Sequence, residues 1–259
     1  MANAPRHGRP VWYELLTTDM KAAERFYSSI VGWTVQAFDK SPEPYDMWAR
    51  AGGVSIGGVM KIPKGMNFPP HWEMYIAVDN LDDTIARIQK SGGKILGPLI
   101  DVPGTGRMRT MQDPQGAVFA MIEPAPRSTD MPESPAEVGD ASWRELHTTD
   151  PVAAMKFYSE IFGWRETSQF DMGPMGKYHL FGRLFDIGGM MKKAEAMAQV
   201  PPHWAIYFRV PNINEAAERV KANGGQVLNG PMEVPDGDMI INAMDPQGGA
   251  FSLHQKKAA

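Results

Sequence analysis

Apolar residues recur at helical spacing between positions 20 and 30, where Ala22, Ala23, Phe26, Tyr27 and Ile30 share one face. Asp19 stands at the N-cap position and Gly32 ends the run, so a helix is predicted over 20–30. A short strand is predicted before it, over 11–17, and three after it, near 34–38, 45–49 and 54–61. The pattern then restarts. A strand over 72–78 leads through Asp79-Asn80 into a helix over 81–90 that stops at Gly92-Gly93. Strands follow over 94–97, 107–112 and 117–123, so the module is strand, helix, three strands, written twice.

The second half of the chain repeats the first. Trp12-Tyr-Glu-Leu-Leu-Thr-Thr-Asp19, Phe26-Tyr27 and Gly32-Trp33 return 131 residues on as Trp143-Arg-Glu-Leu-His-Thr-Thr-Asp150, Phe157-Tyr158 and Gly163-Trp164. Pro69-Pro-His-Trp72 returns 132 residues on as Pro201-Pro-His-Trp204, and Asp113-Pro-Gln-Gly116 as Asp245-Pro-Gln-Gly248. Solenoid repeats run to about 20–50 residues, so this is a duplicated domain. The expected domains are 1–123 and 141–259, four modules in all. In the second, helices are predicted over 151–161 and 213–222, and strands over 204–210 and 249–255. Residues 124–140 are rich in Pro, Ser and acids, lack apolar periodicity, and are expected to be the linker.

Composition narrows the function. A chain of 259 residues suits two domains of about 100–150 each. The net charge of −4, with no Lys/Arg cluster, argues against nucleic acid as a partner. No apolar run approaches the roughly 18 residues of a membrane span, and the first ten residues lack a signal-peptide core. No membrane partner and a cytoplasmic location are therefore expected. The absence of cysteine excludes disulfides, thiolate metal sites and a cysteine nucleophile. The 19 methionines are adaptable packing residues, suited to cores and tolerant binding surfaces. Oligomeric state is left open.

The ordered set of Thr-Asp, Phe-Tyr, Gly-Trp, Gly-Gly and Asp-Pro-Gln-Gly, present twice, resembles the vicinal oxygen chelate superfamily. That family includes glyoxalases, bleomycin- and fosfomycin-resistance proteins and extradiol dioxygenases, and the chain looks most like its two-domain, glyoxalase-like bacterial members. The resemblance implies an α+β fold of tandem glyoxalase-like domains, each a pair of βαβββ modules forming an open barrel-like sheet around a cavity. It also implies where metal ligands sit in metal-using members. Those positions here are Trp12 and Trp143 on the first strand, Met74 and Ile206 on the strand opening the second module, and Ala120 and Ser252 on the last strand. The fourth strand offers no ligand over 54–62 and only Asp186 over 185–192. Indole and thioether do not suit a hard divalent ion, so no metal is expected at the usual positions.

If those strands wall the cavity, residues two apart share its face. Trp12 then brings Glu14 and Leu16, while Trp143 brings Glu145 and His147. Met74 brings Trp72 and Ile76, Ile206 brings Trp204 and Phe208, and Ser252 brings His254. The ligand-binding candidates are thus Trp12, Glu14, Trp72, Met74, Trp143, Glu145, Trp204 and Ile206: apolar walls with a few polar groups. Each has a structural alternative. A buried Glu can be satisfied by a backbone NH or an arginine, and the Trp and Met residues serve equally as core. His147 and His254 have Leu16 and Ile122 in the first copy, so they suit either a copy-specific role or packing. His71 and His203 fall out of phase and read as fixing the strand entry after two prolines.

Three functions fit. The first is a binder of an apolar or aromatic small molecule in metal-free cavities, needing no cofactor. The second is a lyase, isomerase or dioxygenase with a divalent metal at Glu145, His147 and His254, since two imidazoles and a carboxylate form a common facial set. The third is a signalling or interaction scaffold, its cavities filled by Trp and Met.

Overall fold

The computed structural model describes residues 6–41, 43–126 and 133–257. The first module is β1 (Arg9–Thr17), α1 (Met20–Val31), β2 (Thr34–Ala37), β3 (Tyr45–Arg50) and β4 (Val54–Lys61). The second is β5 (His71–Ala77), α2 (Leu81–Lys90), β6 (Lys94–Ile95), β7 (Ile100–Val102), β8 (Gly106–Gln112) and β9 (Val118–Pro124). The third is β10 (Ala141–Thr148), α3 (Pro151–Phe162), β11 (Arg165–Asp171), β12 (Lys177–Gly182) and β13 (Asp186–Lys192). The fourth is β14 (His203–Arg209), α4 (Ile213–Ala222), β15 (Gln226–Glu233), β16 (Met239–Met244) and β17 (Ala250–Gln255). The fold is α+β, as the resemblance implies. β7, three residues long, has no periodicity to announce it.

Helix ends follow the capping chemistry. Asp19 Oδ1 accepts from Ala22 N at 3.0 Å, and Asp150 Oδ1 from Ala153 N at 3.0 Å. Gly32 and Gly163 take φ of 83° and 71°, left-handed values that release the chain after α1 and α3.

The described chain packs as two compact units, each drawing on both repeats. One gathers Trp12–Glu73, Ala136–Trp143 and Ala205–Ala259, the first module with the fourth. Its strands run β2-β3-β4-β1 and β14-β17-β16-β15, with β1·β4 and β14·β17 parallel. The other gathers Met74–Pro135 and Arg144–Trp204 with the N-terminal segment up to Val11. Its strands run β5-β9-β8-β6 and β11-β12-β13-β10, with β7 beside β8.

Of the linker expected over 124–140, residues 127–132 lie outside the described residues. Its far end is docked on the first-and-fourth-module unit. Arg50 pairs with Glu137 at 2.7 Å and Asp140 at 2.8 Å, and Gly139 N donates to Arg209 O at 2.8 Å. Among the described residues no helix is long and apolar enough to cross a membrane.

Candidate functional site

The recurring motifs build the core. In one unit Tyr27 OH donates to Asp245 Oδ2 at 2.9 Å and accepts from Trp72 Nε1 at 3.0 Å. In the other, Tyr158 OH donates to Asp113 Oδ2 at 3.0 Å and accepts from Trp204 Nε1 at 3.1 Å. The Phe-Tyr of one repeat thus meets the Asp-Pro-Gln-Gly of the other inside each unit. Aromatic rings close around both tyrosines: Trp33 stacks on Trp48 at 4.9 Å, and Trp164 on Phe181 at 4.5 Å. The Gly-Trp indoles pin backbone, Trp33 Nε1 to Gly139 O at 2.8 Å and Trp164 Nε1 to Gly8 O at 2.6 Å. Burial pushes both tyrosines well above their ordinary range and raises Asp113 and Asp245, the latter two against the pull of backbone NH groups.

The face turned away from the helices carries ionisable side chains. On β1, Tyr13 packs edge-on to Phe208 and Leu15 is fully buried, so Trp12 and Glu14 project from the other face. Glu14 lies beside Gly58 in the β1·β4 register. A Cβ on Gly58 would collide with the Tyr45 ring, so the bare glycine lets Tyr45 lie across it. The Tyr45 hydroxyl accepts from Trp12 Nε1 at 2.8 Å and bonds to Glu14. Burial, then the negative charge of Glu14, raises Tyr45 well above the usual tyrosine range.

The second repeat builds the same device and adds to it. Glu145 lies beside Gly189, which Tyr178 covers, and Tyr178 OH donates to Glu145 Oε2 at 2.7 Å. Glu145 Oε1 is 2.9 Å from His147 Nε2, and His147 stacks on His203 with centroids 5.0 Å apart. His147 Nδ1 is buried without a hydrogen-bond partner among the described residues. Both glutamates are thus fixed by tyrosine hydroxyls. The signal available was the recurrence of Tyr45 as Tyr178 and of Gly57-Gly58 as Gly188-Gly189.

The alternation on β5 and β14 is the reverse of the expected one. Trp72 and Trp204 bond to the helix tyrosines and are buried in the aromatic clusters. Met74 and Ile206 share their faces and are each only 1% exposed. These four belong to the helical core. The away-facing residues are His71, Glu73 and Tyr75 on β5, and His203, Ala205 and Tyr207 on β14. Trp143 is half-buried on β10.

The residues at the family's metal positions do not fit a metal: two have turned into the core, and Ala120 and Ser252 offer no imidazole or carboxylate. The trio Glu145, His147 and His254 is not assembled as a ligand set. His254 Nδ1 bonds to Ser142 Oγ at 2.8 Å and its Nε2 to Asp238 Oδ2 at 2.7 Å, so neither nitrogen is left for an ion. Among the described residues no three His, Asp or Glu side chains are grouped to hold one.

Burial lowers the pKa of His71, His203 and His254. The unfolded chain, with histidines near about 6.5, therefore takes up more protons as pH falls past that value, and stability drops with it. Asp113, Asp245 and Glu24 are shifted upward and act in the opposite sense, at lower pH. The melting temperature is expected to be lower at about pH 5.5 than at about pH 7.5. Equal values would show that these imidazoles protonate in place.

Comparison with known proteins places the chain. The family model described as Glyoxalase/Bleomycin resistance protein/Dioxygenase superfamily matches residues 9–121 and 142–253. A protein of Mycobacterium tuberculosis (strain CDC 1551 / Oshkosh), named Putative glyoxylase CFP32, is 33% identical over 96% of this chain and 95% of its own length. The anthracycline biosynthesis protein DnrV of Streptomyces peucetius is 29% identical over 95% of this chain and 92% of its own. Among solved structures, the Mn(II)-bound glyoxalase from Novosphingobium aromaticivorans superposes with a TM-score of 0.65 at 14% identity. It covers 96% of this chain and 82% of that one.

Proposed function

The chain belongs to the Glyoxalase/Bleomycin resistance protein/Dioxygenase superfamily, and we propose that it binds an aromatic, largely apolar small molecule without a metal. The site is the helix-averted face that carries Glu14 in one unit and Glu145 in the other. One observation carries the reading. Each carboxylate is held by a tyrosine lying across a glycine, beside a ring: Trp12 in one unit, the stacked His147 and His203 in the other. Aromatic contacts add about 0.5–1.5 kcal/mol each beyond area burial, and a positioned carboxylate orients an amine or hydroxyl. The length-wide likeness to a protein of anthracycline biosynthesis supports this ligand class, since an anthracycline is a planar polycycle bearing an amino sugar.

The test is tryptophan quenching with an anthraquinone bearing an aliphatic amine and with its neutral analogue. The amine form is expected to bind about tenfold more tightly, equivalent to about 1.4 kcal/mol. Glu14→Gln and Glu145→Gln together should erase that difference while leaving the neutral compound bound. Saturable binding of neither compound, or variants that keep the full preference, would refute the assignment.

A further inference from the structure

Along β12 the side chains alternate, so His179 points to the side of the sheet opposite Tyr178 and Glu145. There it forms the floor of a groove of about 310 Å3 between α3 and β11. Val152, Met155 and Ser159 of α3 and Glu166 and Gln169 of β11 make its walls. The imidazole is only 5% exposed.

The floor is a set of acceptors. Glu166 Oε1 lies 2.8 Å from His179 Nδ1 and accepts from Gln169 Nε2 at 2.6 Å. Gln169 Oε1 is occupied by Lys177 Nζ at 3.2 Å. In the neutral tautomer that carries its proton on Nδ1, facing the carboxylate, the ring's Nε2 is an acceptor. Among the described residues the side-chain bonds of His179 and Glu166 are the one between them, through Nδ1 and Oε1, and the one Glu166 Oε1 accepts from Gln169. Lys156, which also lines the groove, lies 3.9 Å from Glu160.

The first repeat shows what the fold accepts at this place. Counting from the N-caps Asp19 and Asp150, Val152 and Met155 stand where the first repeat has Lys21 and Glu24. Counting from the glycine-covering tyrosines, His179 stands where it has Asp46. There the Lys21 ammonium sits 2.9 Å from Glu24 and 2.9 Å from Asp46, filling the position from within the chain. The second repeat has lost that lysine, leaves a groove, and supplies a new acceptor, Glu166, where the first has Val35.

We propose that this groove binds a primary alkylammonium, its charge seated against Glu166 and His179 and its short chain along Val152 and Met155. Charge-assisted hydrogen bonds to a carboxylate at a partly buried site favour a cation over a neutral donor of the same shape.

The probe is n-pentylammonium, with pentanol as the neutral control, followed through the imidazole signals of His179 and the amide of Ser159 by NMR. Saturable shifts are expected for the amine alone, with a Kd on the order of 1 mM. Glu166→Gln should weaken binding about tenfold. Val152 is 65% exposed, so Val152→Lys leaves the core intact and should seat its own ammonium in the groove, abolishing binding. Absence of saturable shifts, equal binding of pentanol, or wild-type affinity in both variants would each overturn the proposal. None of these readouts involves Glu14 or Glu145, so the groove and the helix-averted face stand or fall separately.

Discussion

Replacing Asp245 by alanine is expected to lower the unfolding free energy by about 3–5 kcal/mol, a large share of the roughly 5–15 kcal/mol of an ordinary domain. The carboxylate has two duties. Oδ1 accepts from Gln247 N at 2.9 Å and Gly249 N at 2.8 Å, which shapes the turn into β17. Oδ2 receives the Tyr27 hydroxyl, itself the acceptor for Trp72. Alanine strands these buried groups, each at a cost of about 1–3 kcal/mol that the next only partly repeats. Asparagine separates shape from charge. Burial holds the Asp245 carboxyl above the ordinary aspartate range, so its contribution favours folding at acid pH and is lost as pH rises. An uncharged amide escapes that loss at neutral pH, and Asp245→Asn should cost only about 1 kcal/mol. Urea unfolding of the two variants checks the ranking. A cost below about 1 kcal/mol for alanine would mean that the turn and Tyr27 do not depend on this side chain.

How much of this the sequence discloses depends on the element. On the first strand alternation separates two sets, with Tyr13 and Leu15 buried on one side and Trp12 and Glu14 leaving by the other. On β5 the order His-Trp-Glu-Met-Tyr-Ile-Ala also declares itself, with Trp72, Met74 and Ile76 as the apolar set and His71, Glu73 and Tyr75 as the mixed one. The expectation that this strand's cavity face includes the family's ligand position at Met74 puts the apolar set on the opposite side from the one it takes. A ligand position that has lost its ligand type is free to be taken over by the core, and the binary pattern is then the better guide. β14 repeats the lesson, with Trp204, Ile206 and Phe208 inside.

Module partnership was beyond the sequence for a different reason. Tyr27 and Tyr158 recur, as do Asp113 and Asp245, so each tyrosine has two chemically identical aspartates to choose from. Local patterning is satisfied by either choice. The choice made, Tyr27 with Asp245 and Tyr158 with Asp113, depends on packing between residues more than 200 and about 45 positions apart in the chain respectively. The histidines were hidden by the same kind of distance. His254 looks like a spare ligand until Ser142 and Asp238 are brought to its two nitrogens.

The face assignment of β5 makes the second large prediction. Trp72→Ala is expected to cost about 3–5 kcal/mol, as for large aromatic truncations in well-packed interiors. The ring is 6% exposed, lies edge-on to Tyr27 at 5.2 Å and packs against Phe208 at 4.7 Å. Trp72→Phe keeps most of the apolar area but removes the indole NH from Tyr27, and should cost about 1–2 kcal/mol. Trp12→Ala is the comparison. That indole is half-buried on the helix-averted face, and its loss should cost under about 1.5 kcal/mol while weakening an aromatic ligand. Chemical denaturation and anthraquinone binding, measured on the same three variants, separate the roles. A Trp72→Ala protein that keeps its stability and loses its ligand would return Trp72 to the cavity wall, because a side chain cannot both hold Tyr27 in the core and be removed from it without cost.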